Sequence, residues 1–400
     1  MRWARLPWTA VGVSALISGL ACTATLRAQE TPAAPRAAAT ETKEPDKKPS
    51  RLRDPVDGAF DVSGFLDTAY GFVPIAMPIT EPAVGYGAGI GLVFIDKPKS
   101  ESGEFARPNI SAVGGFGTEN GTKGGFAVDS RYWLDGKLQT LVGGISASVN
   151  LDYYGQAESG PLREHPLRYN LKPKGGGLIA KTQLGQSRYF AGLGYGFAKV
   201  DVSFTAPPST PGLPSFDRQT NIAALMPSIA YDTRDNIFTP TSGWFAEASA
   251  TLASDSIGSD HDFQKLNLLT IYYATLQEKL TLGMRLDAKT TSGDVPFYLL
   301  PSITLRGVPA LSYLGDDMAQ FEAELRWQCW GRWSAVGFGG VGAVWSDSGA
   351  SRREKTVGTI GAGVRYEIAR KYGLHMGLDV AFGPDDPAIY IQFGSAWMRP

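Results

Sequence analysis

The most informative stretch of the sequence is residues 303–328, which read ITLRGVPALSYLGDDMAQFEAELRWQ. Apolar and polar residues alternate strictly over residues 321–328, and this period predicts a β-strand with one apolar face and one polar face. The preceding part of the stretch predicts a loop that carries a single arginine, Arg306. If the strand belongs to a membrane barrel, its polar face lines the lumen. A loop folded back into that lumen would place Arg306 against Glu322 or Glu324.

Three other segments repeat this alternation, with an apolar residue at every second position: 244–252, 362–368 and 374–382. Their lengths approach the ~9–11 residues that a tilted strand needs to cross a bilayer. An arginine on the lipid-facing side near the bilayer midplane costs roughly 2–4 kcal/mol. The strand faces that carry Arg326 and Arg365 must therefore look into the lumen.

The N-terminus has the pattern of a targeting segment. Arg2 and Arg5 precede an apolar core at residues 8–21, and the residues up to Ala28 form an acceptable cleavage site. We therefore expect residues 1–28 to be a signal peptide that is removed. The alternative, a retained anchor helix, needs a longer apolar run than this one.

Residues 29–57 are rich in Pro, Ala, Thr, Lys and Glu and show no apolar period, which predicts a disordered linker. Residues 58–400 contain no apolar run long enough for a membrane helix. After the signal, we expect the chain to span a bilayer only as a closed barrel, which forms one domain.

The composition argues against several classes of function. With 38 basic and 39 acidic residues, the chain lacks the basic excess that is typical of nucleic-acid-binding proteins. Its three histidines are scattered and its two cysteines show no metal-binding spacing, so we expect no metal site and no cofactor. No nucleophile lies in a pattern with a base, so we expect no enzymatic activity. If the signal is removed, Cys329 is the single cysteine, and its place on the apolar face predicts a buried, inert thiol.

The connections between the candidate strands alternate between short turns and longer loops, as in outer-membrane barrels. The exceptions are a short outer loop at 118–122 and a longer inner turn at 96–107. We count sixteen candidate strands, an even number as in single-chain bacterial barrels, although a count of fourteen remains if two weak strands merge. They lie near 60–73, 84–95, 108–117, 123–134, 138–154, 168–182, 188–202, 220–232, 243–253, 262–276, 280–290, 320–330, 333–345, 357–368, 373–382 and 388–397.

The predicted fold class is therefore all-β: a transmembrane antiparallel β-barrel of sixteen strands with an extracellular loop folded into its lumen. A soluble sandwich also alternates, but the rhythm of the connections and the even count favour a barrel. The end of the chain agrees with this prediction. The last candidate strand places Ile389, Ile391, Phe393 and Trp397 on one face and closes near an aromatic residue.

Two motifs resemble a known family of outer-membrane barrels. Residues 231–243 resemble the signature turn of the BamA/TamA superfamily, also called the bacterial surface antigen family. The residues that carry this motif are Tyr231, Asp232, Arg234, Asp235, Pro240 and Gly243. Such polar residues are turn formers, so we expect them to fix a periplasmic turn rather than to do chemistry. Leu305, Arg306 and Gly307, with the strand that contains residues 322–326, resemble the conserved loop of that family and the strand after it.

Residues 71–91 resemble the start of family members that lack the periplasmic POTRA domains. Gly340 stands where the family often has an aspartate, so one expected lumenal partner of Arg306 is missing. The other candidate residues share the lumenal phase of their strands: Glu322, Glu324, Arg326, Glu367 and Asp379. A guanidinium inside a lumen needs a carboxylate whose geometry suits its fork. Arg306 either only braces the barrel wall or also couples the loop to opening of the barrel.

The resemblance implies an outer-membrane protein of a Gram-negative bacterium that assists the insertion or translocation of proteins. Its partners would be outer-membrane lipid and outer-membrane or secreted client proteins, and no nucleic acid. In the family, the seam between the first and last strands is weakly paired and can open; here it would join about 59–73 to 387–397. Because we expect the chain to lack the periplasmic domains that receive the client in relatives, two alternatives stay open: a passive solute pore, and a structural surface antigen with no client.

Overall fold

The structure is a computed structural model that describes residues 52–68, 71–96, 109–134, 136–156, 161–205, 218–347 and 352–398. The predicted signal peptide and most of the predicted linker lie outside the described residues. Most of the Pro-rich segment between residues 205 and 218 also lies outside them.

One antiparallel sheet of sixteen strands accounts for most of the described chain, and each strand pairs with the next one in sequence. The strands are β1 (Gly71–Glu81), β2 (Gly85–Asp96), β3 (Asn109–Thr118), β4 (Lys123–Trp133), β5 (Leu138–Tyr153), β6 (Leu167–Gln183), β7 (Tyr189–Phe204), β8 (Gln219–Asp232), β9 (Gly243–Ala253), β10 (Phe263–Gln277), β11 (Leu280–Gly293), β12 (Asp317–Trp330), β13 (Trp333–Asp347), β14 (Arg352–Ala369), β15 (Leu374–Phe382) and β16 (Ala388–Phe393). The sheet curls into a nearly closed barrel. The predicted count of sixteen is confirmed, and the count of fourteen is wrong.

Helices are few and short in the described chain. They are α1 (Ser63–Thr68), α2 (Pro161–Glu164) and 3₁₀ turns at Asp255–Ile257, Phe297–Leu299 and Arg370–Tyr372. No helix of the described residues has the length and apolar character needed to cross a membrane.

The two faces of the strands separate as the alternation predicts, because successive side chains of a strand point to opposite sides. On β12, Phe321, Leu325 and Trp327 lie on the outer face with 40–56% of their surface exposed. Glu322 and Glu324 lie on the inner face and are buried. The barrel is therefore apolar outside and polar inside, which is the reverse of a water-soluble barrel.

Short turns collect at one end of the barrel, which we call the turn end, and the longer loops collect at the other, the loop end. At the turn end, β10 and β11 are joined by Glu278 and Lys279, and β12 and β13 by Gly331 and Arg332. At the loop end, β11 and β12 are joined by residues 294–316. The predicted rhythm of connections is present.

The prediction for the first strand is wrong. We placed it at 60–73, but β1 begins at Gly71, and α1 precedes it. The carboxylate of Asp61 accepts the amide of Ser63 at 2.6 Å, as an N-cap residue does at the start of a helix. Val62 and Leu66 are four residues apart, which is a helical spacing, and both pack against a buried cluster at the turn end.

The prediction for the last strand is also wrong at its end. β16 stops at Phe393 because Gly394 takes a φ of +71°, a conformation that favours glycine, and turns the chain into the lumen. The amide of Ser395 then donates to the carbonyl of Phe238 at 2.6 Å. Trp397 is buried inside the barrel instead of lying on the outer face. Cys329 is exposed, so its predicted burial is wrong as well.

Candidate functional site in the barrel lumen

The loop of residues 294–316 lies inside the loop end of the barrel, and we call it the plug loop. Its first part reaches the far wall, where the ring of Phe297 packs against Tyr153 of β5 and Tyr169 of β6, both with centroids 5.3 Å away. Its middle part returns to the near wall, where Ile303 is completely buried. The plug loop therefore crosses the lumen from β5 and β6 to β12 and β13.

Arg306 is the most heavily paired side chain of the plug loop. Its Nε donates to Oε1 of Glu322 at 2.9 Å, and its Nη1 donates to Oδ2 of Asp379 at 2.8 Å. The same Nη1 lies 2.8 Å from Oε2 of Glu324. The guanidinium carbon lies 3.5 Å from the ring centroid of Phe338, which suits a planar cation on an aromatic face. The structure thus places Arg306, only 7% exposed, among three of its sequence-predicted partners.

Further charges extend this cluster along the barrel wall. Arg365 donates to both carboxylate oxygens of Asp379, at 2.5 and 2.9 Å. Arg285 lies 3.7 Å from Glu322 and 3.1 Å from Asp287. Positive and negative groups therefore alternate from β14 to β11, and each buried charge has an opposite neighbour. Such a network fixes the plug loop in place.

The carboxylates of this cluster are engaged by guanidinium groups. Within the described part of the chain, no group of three or more His, Cys, Asp or Glu side chains is arranged to hold a metal ion. The geometry is that of a structural clamp, in which removal of one charge leaves the others buried without compensation.

Gly307 is placed where a side chain does not fit. Its φ is +91°, and a Cβ would lie 3.2 Å from the backbone carbon of Phe382 and 3.3 Å from the amide nitrogen of Gly383. The plug loop therefore meets the end of β15 backbone to backbone. Glycine is required at position 307 for both its conformation and its small size.

Leu305 accounts for the missing aspartate at Gly340. A Cβ at Gly340 would lie 2.9 Å from Cδ2 of Leu305, so the leucine side chain fills that place. Asp379 supplies a carboxylate to Arg306 from another strand. The departure from the family pattern is thus compensated inside this lumen.

The first half of the turn motif forms an ion pair at the end of β8. Arg234 pairs with Asp232 at 2.8 Å, and its guanidinium carbon lies 4.6 Å from the ring centroid of Phe245. Tyr231 points to the other side, where its ring centroid lies 5.0 Å from that of Tyr189. This part of the motif therefore fixes the start of the turn against the neighbouring strands.

The second half of the motif closes the turn. Asp235 accepts the amide of Thr241 at 2.9 Å, and a Cβ at Gly243, whose φ is +103°, would lie 2.3 Å from the carbonyl oxygen of Thr233. The carbonyl of Pro240 accepts Nη2 of Arg326 at 2.9 Å. The turn between β8 and β9 is thus tied to β12, three strands further along the sheet.

Two of the predicted lumenal residues do not contact Arg306. Arg326 lies in the lumen but binds the carbonyl of Pro240. Glu367 is a wrong prediction, since its nearest ion pair is with Arg370 at 3.7 Å, close to the turn end. Alternation gives the face of a strand on which a residue lies but not its depth along the barrel.

Trp397 is a contact that the sequence did not predict. Its indole Nε1 donates to Oε2 of Glu322 at 2.6 Å, and its ring centroid lies 5.9 Å from the guanidinium carbon of Arg306. The hydroxyl of Tyr273 donates to Oγ of Ser395 at 3.1 Å. The C-terminal tail therefore contacts the Arg306 cluster from the side of the turn end. The glycine at position 394 was the signal that the strand ends there.

A second missed cluster lies outside the lumen, at the turn end. Arg332 donates to Oδ2 of Asp57 at 2.8 Å and to Oδ2 of Asp61 at 2.6 Å, and it also binds Asp54. We call residues 52–68, which supply these carboxylates, the strap. Residues 52–57 belong to the predicted disordered linker, so that prediction extends too far, because the chain is fixed here by charge pairing with Arg332.

The seam lies between β1 and β16. Every other pair of neighbouring strands is joined by a ladder of backbone pairs, but among the described residues no such ladder joins β1 to β16. A hydrogen bond from the amide of Ile391 to Oγ1 of Thr80, at 3.4 Å, crosses the seam. The sequence placed the first side of the seam at 59–73, and the structure moves it to Gly71–Glu81.

Comparison with known proteins agrees with this architecture. The family model described as the Omp85 superfamily domain matches residues 165–385, which is more than half of the 400 residues. No curated protein matches the sequence.

Among solved structures, the chain is similar to BamA from Haemophilus ducreyi lacking POTRA domains 1–3, with a TM-score of 0.54 and 14% identity over 80% of this chain and 68% of that chain. It is also similar to CdiB from Escherichia coli, with a TM-score of 0.55 and 11% identity over 80% of this chain and 61% of that chain. The chain thus spans less than two thirds of the length of CdiB. At these identities the two likenesses show the fold alone, and the matched domain shows the family. The chain belongs to the Omp85 superfamily.

Proposed function

We propose that this protein is an integral outer-membrane barrel that assists the insertion or translocation of proteins and acts without catalysis. Membership of the Omp85 superfamily and a fold like those of BamA and CdiB support this proposal. Outer-membrane barrels have short turns on the periplasmic side. The turn end of this barrel is therefore expected to face the periplasm, and the plug loop to enter the lumen from the extracellular side.

The outer face of the barrel supports a membrane location. An apolar surface of this extent is unfavourable in water and marks a membrane or protein contact. Near the turn end, the exposed indoles of Trp327, Trp330 and Trp333 lie on β12 and β13. Tryptophan is enriched at the level of the lipid headgroups, so these residues are expected to anchor the barrel at the periplasmic boundary.

The observation that carries the proposal is the seam. A backbone amide or carbonyl without a partner costs several kcal/mol in the hydrocarbon region, so barrels normally close completely. A barrel that leaves β1 and β16 without a ladder has a lateral path from its lumen to the bilayer and two edges able to pair with an extended chain. Both properties suit a protein that delivers polypeptides into a membrane.

The plug loop favours this role over that of a passive pore. A conducting pore needs an open path, whereas residues 294–316 and the C-terminal tail lie inside the lumen. Single-channel recordings in planar bilayers distinguish the two. We expect little conductance from the intact protein and large steps after deletion of residues 295–315. Equal conductance of both proteins would favour the passive pore.

The proposed function is tested in proteoliposomes that contain the purified barrel. An unfolded client, such as a small eight-stranded outer-membrane barrel, is added, and its insertion is followed by its heat-modifiable mobility on gels. We expect insertion at least several-fold faster than into empty liposomes. A photo-crosslinking residue in place of Ile389 on the outer face of β16 is expected to capture the client during insertion.

The matched control places the same photo-crosslinking residue at Leu193, which lies on the outer face of β7, six strands along the sheet from β1. Equal insertion with and without the barrel would overturn the proposal. Absence of client at both positions would instead favour a structural surface protein with no client.

A further inference from the structure

The plug loop contacts both strands of the seam, each through one backbone amide. The amide of Gly307 donates to the hydroxyl of Tyr390 on β16 at 2.9 Å. The amide of Ala310 donates to Oε1 of Glu81, the last residue of β1, at 3.0 Å. We propose that the plug loop is a clasp that holds the seam shut at the loop end of the barrel.

The plug loop can hold the seam only if it is itself anchored, and the Arg306 cluster anchors it. Arg306 precedes Gly307 and is held by carboxylates from β12 and β15. Gly307 itself lies against the backbone of Phe382 and Gly383, at the end of β15. The two amides that reach Tyr390 and Glu81 therefore belong to a segment that is anchored to the wall beside the seam.

The sequence of β1 explains why the seam needs such a device. The strand reads GFVPIAMPITE, with prolines at positions 74 and 78, and it pairs with β2 from Gly71 to Glu81 without a register shift. Proline has no amide hydrogen, and within sheets it lies on edge strands with its nitrogen facing away from the ladder. Pro74 and Pro78 are four residues apart, so both nitrogens face the same edge, the one towards β16. Two donors are thus missing from the seam.

On β16, too, the amide that points across the seam has no backbone partner on β1. The amide of Ile391 points across the seam and binds the side-chain hydroxyl of Thr80, rather than a backbone carbonyl of β1. Side-chain and plug-loop contacts therefore take the place of the missing ladder. Because the clasp is a property of the barrel alone, its test needs no client and is independent of the proposed function.

The test measures the width of the seam. Spin labels are attached at Pro82→Cys, directly after β1, and at Ile389→Cys on β16, which are both exposed and lie close to each other across the seam, in a Cys329→Ser background. The native clasp is expected to give one narrow distance distribution. The double variant Glu81→Ala/Tyr390→Phe is expected to add a population that is longer by about 5 Å or more, which is the spacing of one strand.

Controls separate loss of the clasp from loss of the fold. Glu81→Gln keeps a side-chain oxygen that accepts the Ala310 amide, so with Tyr390 intact it is expected to preserve the narrow distribution. Labels at Leu92→Cys and Val113→Cys, which are partners in the intact wall between β2 and β3, are expected to keep their distance in every variant. Ala310→Pro removes the loop amide without altering either strand and is expected to widen the seam in the same way.

A suppressor tests the role of the prolines. Pro74→Ala/Pro78→Ala restores two amides on the edge that faces β16 and is expected to narrow the seam again when the clasp is broken. A seam distance that stays native in both the Glu81→Ala/Tyr390→Phe and the Ala310→Pro proteins would overturn the proposal.

Discussion

At the scale of single residues, Arg306 is the main anchor of the plug loop. Its guanidinium is buried among Glu322, Glu324 and Asp379, and the alternation of β12 was enough to place two of these carboxylates near it. A buried charge cluster is stabilising only when it is complete, because each remaining charge has lost its water. Arg306 therefore determines whether the plug loop stays inside the barrel.

Arg306→Ala is expected to destabilise the barrel by about 3–5 kcal/mol, because it leaves buried carboxylates without their cation. Arg306→Lys is expected to recover only part of this loss, since an ammonium cannot reproduce the planar fork. The measurement is the urea concentration at which heat-modifiable mobility is lost. Arg168→Ala is the control, because that side chain is 81% exposed and its loss is expected to have little effect. Equal midpoints for Arg306→Ala and Arg168→Ala would contradict the buried cluster.

Gly307→Ala is expected to destabilise the plug loop more than a comparable glycine substitution in a turn. Position 307 combines a φ of +91° with backbone atoms of β15 within 3.3 Å of the new Cβ. Gly136 has a φ of +81° with nothing within 4 Å, so Gly136→Ala measures the conformational cost alone. The same unfolding assay compares the two variants. If the two substitutions lower the unfolding midpoint equally, the plug loop is not in close contact with β15.

The sequence could not predict how deep in the barrel a side chain lies, or which residues from distant parts of the chain it contacts. Glu367 has the lumenal phase but lies near the turn end, so it meets Arg370 instead of Arg306. Trp397 has the phase of the outer face, yet a turn at Gly394 carries it into the lumen. A period of two residues records only the side of a strand, and contacts between distant parts of the chain have no local signal.

At the scale of elements, the strap is the feature that the sequence did not predict. Its composition indicated disorder, but Asp54, Asp57 and Asp61 meet around Arg332, and Val62 donates its amide to Ile368 at 2.7 Å. The strap lies directly before β1 and binds the turns at the ends of β12 and β14. It thus ties the segment that enters β1 to the turns after β12 and β14, at the turn end of the barrel.

Arg332→Ala is expected to release the strap, because three carboxylates would face one another without the cation that joins them. Hydrogen exchange measured by mass spectrometry is expected to show loss of protection over residues 52–68, with β12 unchanged. Arg370→Ala removes a cation that is 44% exposed and shares two of these carboxylates, so it is expected to have a smaller effect. Unchanged exchange in the Arg332→Ala protein would show that charge pairing does not hold the strap.

The strap is also expected to respond to acid in a defined range. Burial opposes the charge on Asp61, but hydrogen bonds from Ser63, the amide of Arg370 and Arg332 outweigh it and lower the pKa of this carboxyl to about 2. A carboxyl with a lowered pKa stabilises the folded state fully above its ordinary value of 3.8, and this contribution is lost as the pH falls towards 2. Cleavage of the strap by pepsin should therefore be slow at pH 4 and rise sharply towards pH 2. Asp61→Asn is expected to be cleaved rapidly already at pH 4, and identical cleavage of both proteins at pH 4 would contradict this role.

At the scale of the whole molecule, the strands, their faces and their order were predictable, because sixteen amphipathic segments joined by alternating turns and loops leave few other arrangements. The seam was predictable only approximately. The first strand begins later than predicted because α1 precedes it. Its prolines at positions 74 and 78 face β16, which begins 310 residues after Pro78. The plug loop contacts both strands of the seam at the loop end, and the strap holds the segment before β1 at the turn end.

The most direct test of the account is a reversible lock across the seam. Thr80→Cys and Ile391→Cys place a cysteine on each side, at the position where a hydrogen bond joins β1 to β16, in a Cys329→Ser background. The rate of client insertion into proteoliposomes is measured with this disulfide oxidised and then reduced. A matched disulfide between Phe321→Cys and Val341→Cys, partners in the intact wall, is the control. We predict that oxidation of the seam pair stops insertion, that reduction restores it, and that the wall pair has no effect; undiminished insertion through the oxidised seam would contradict the account.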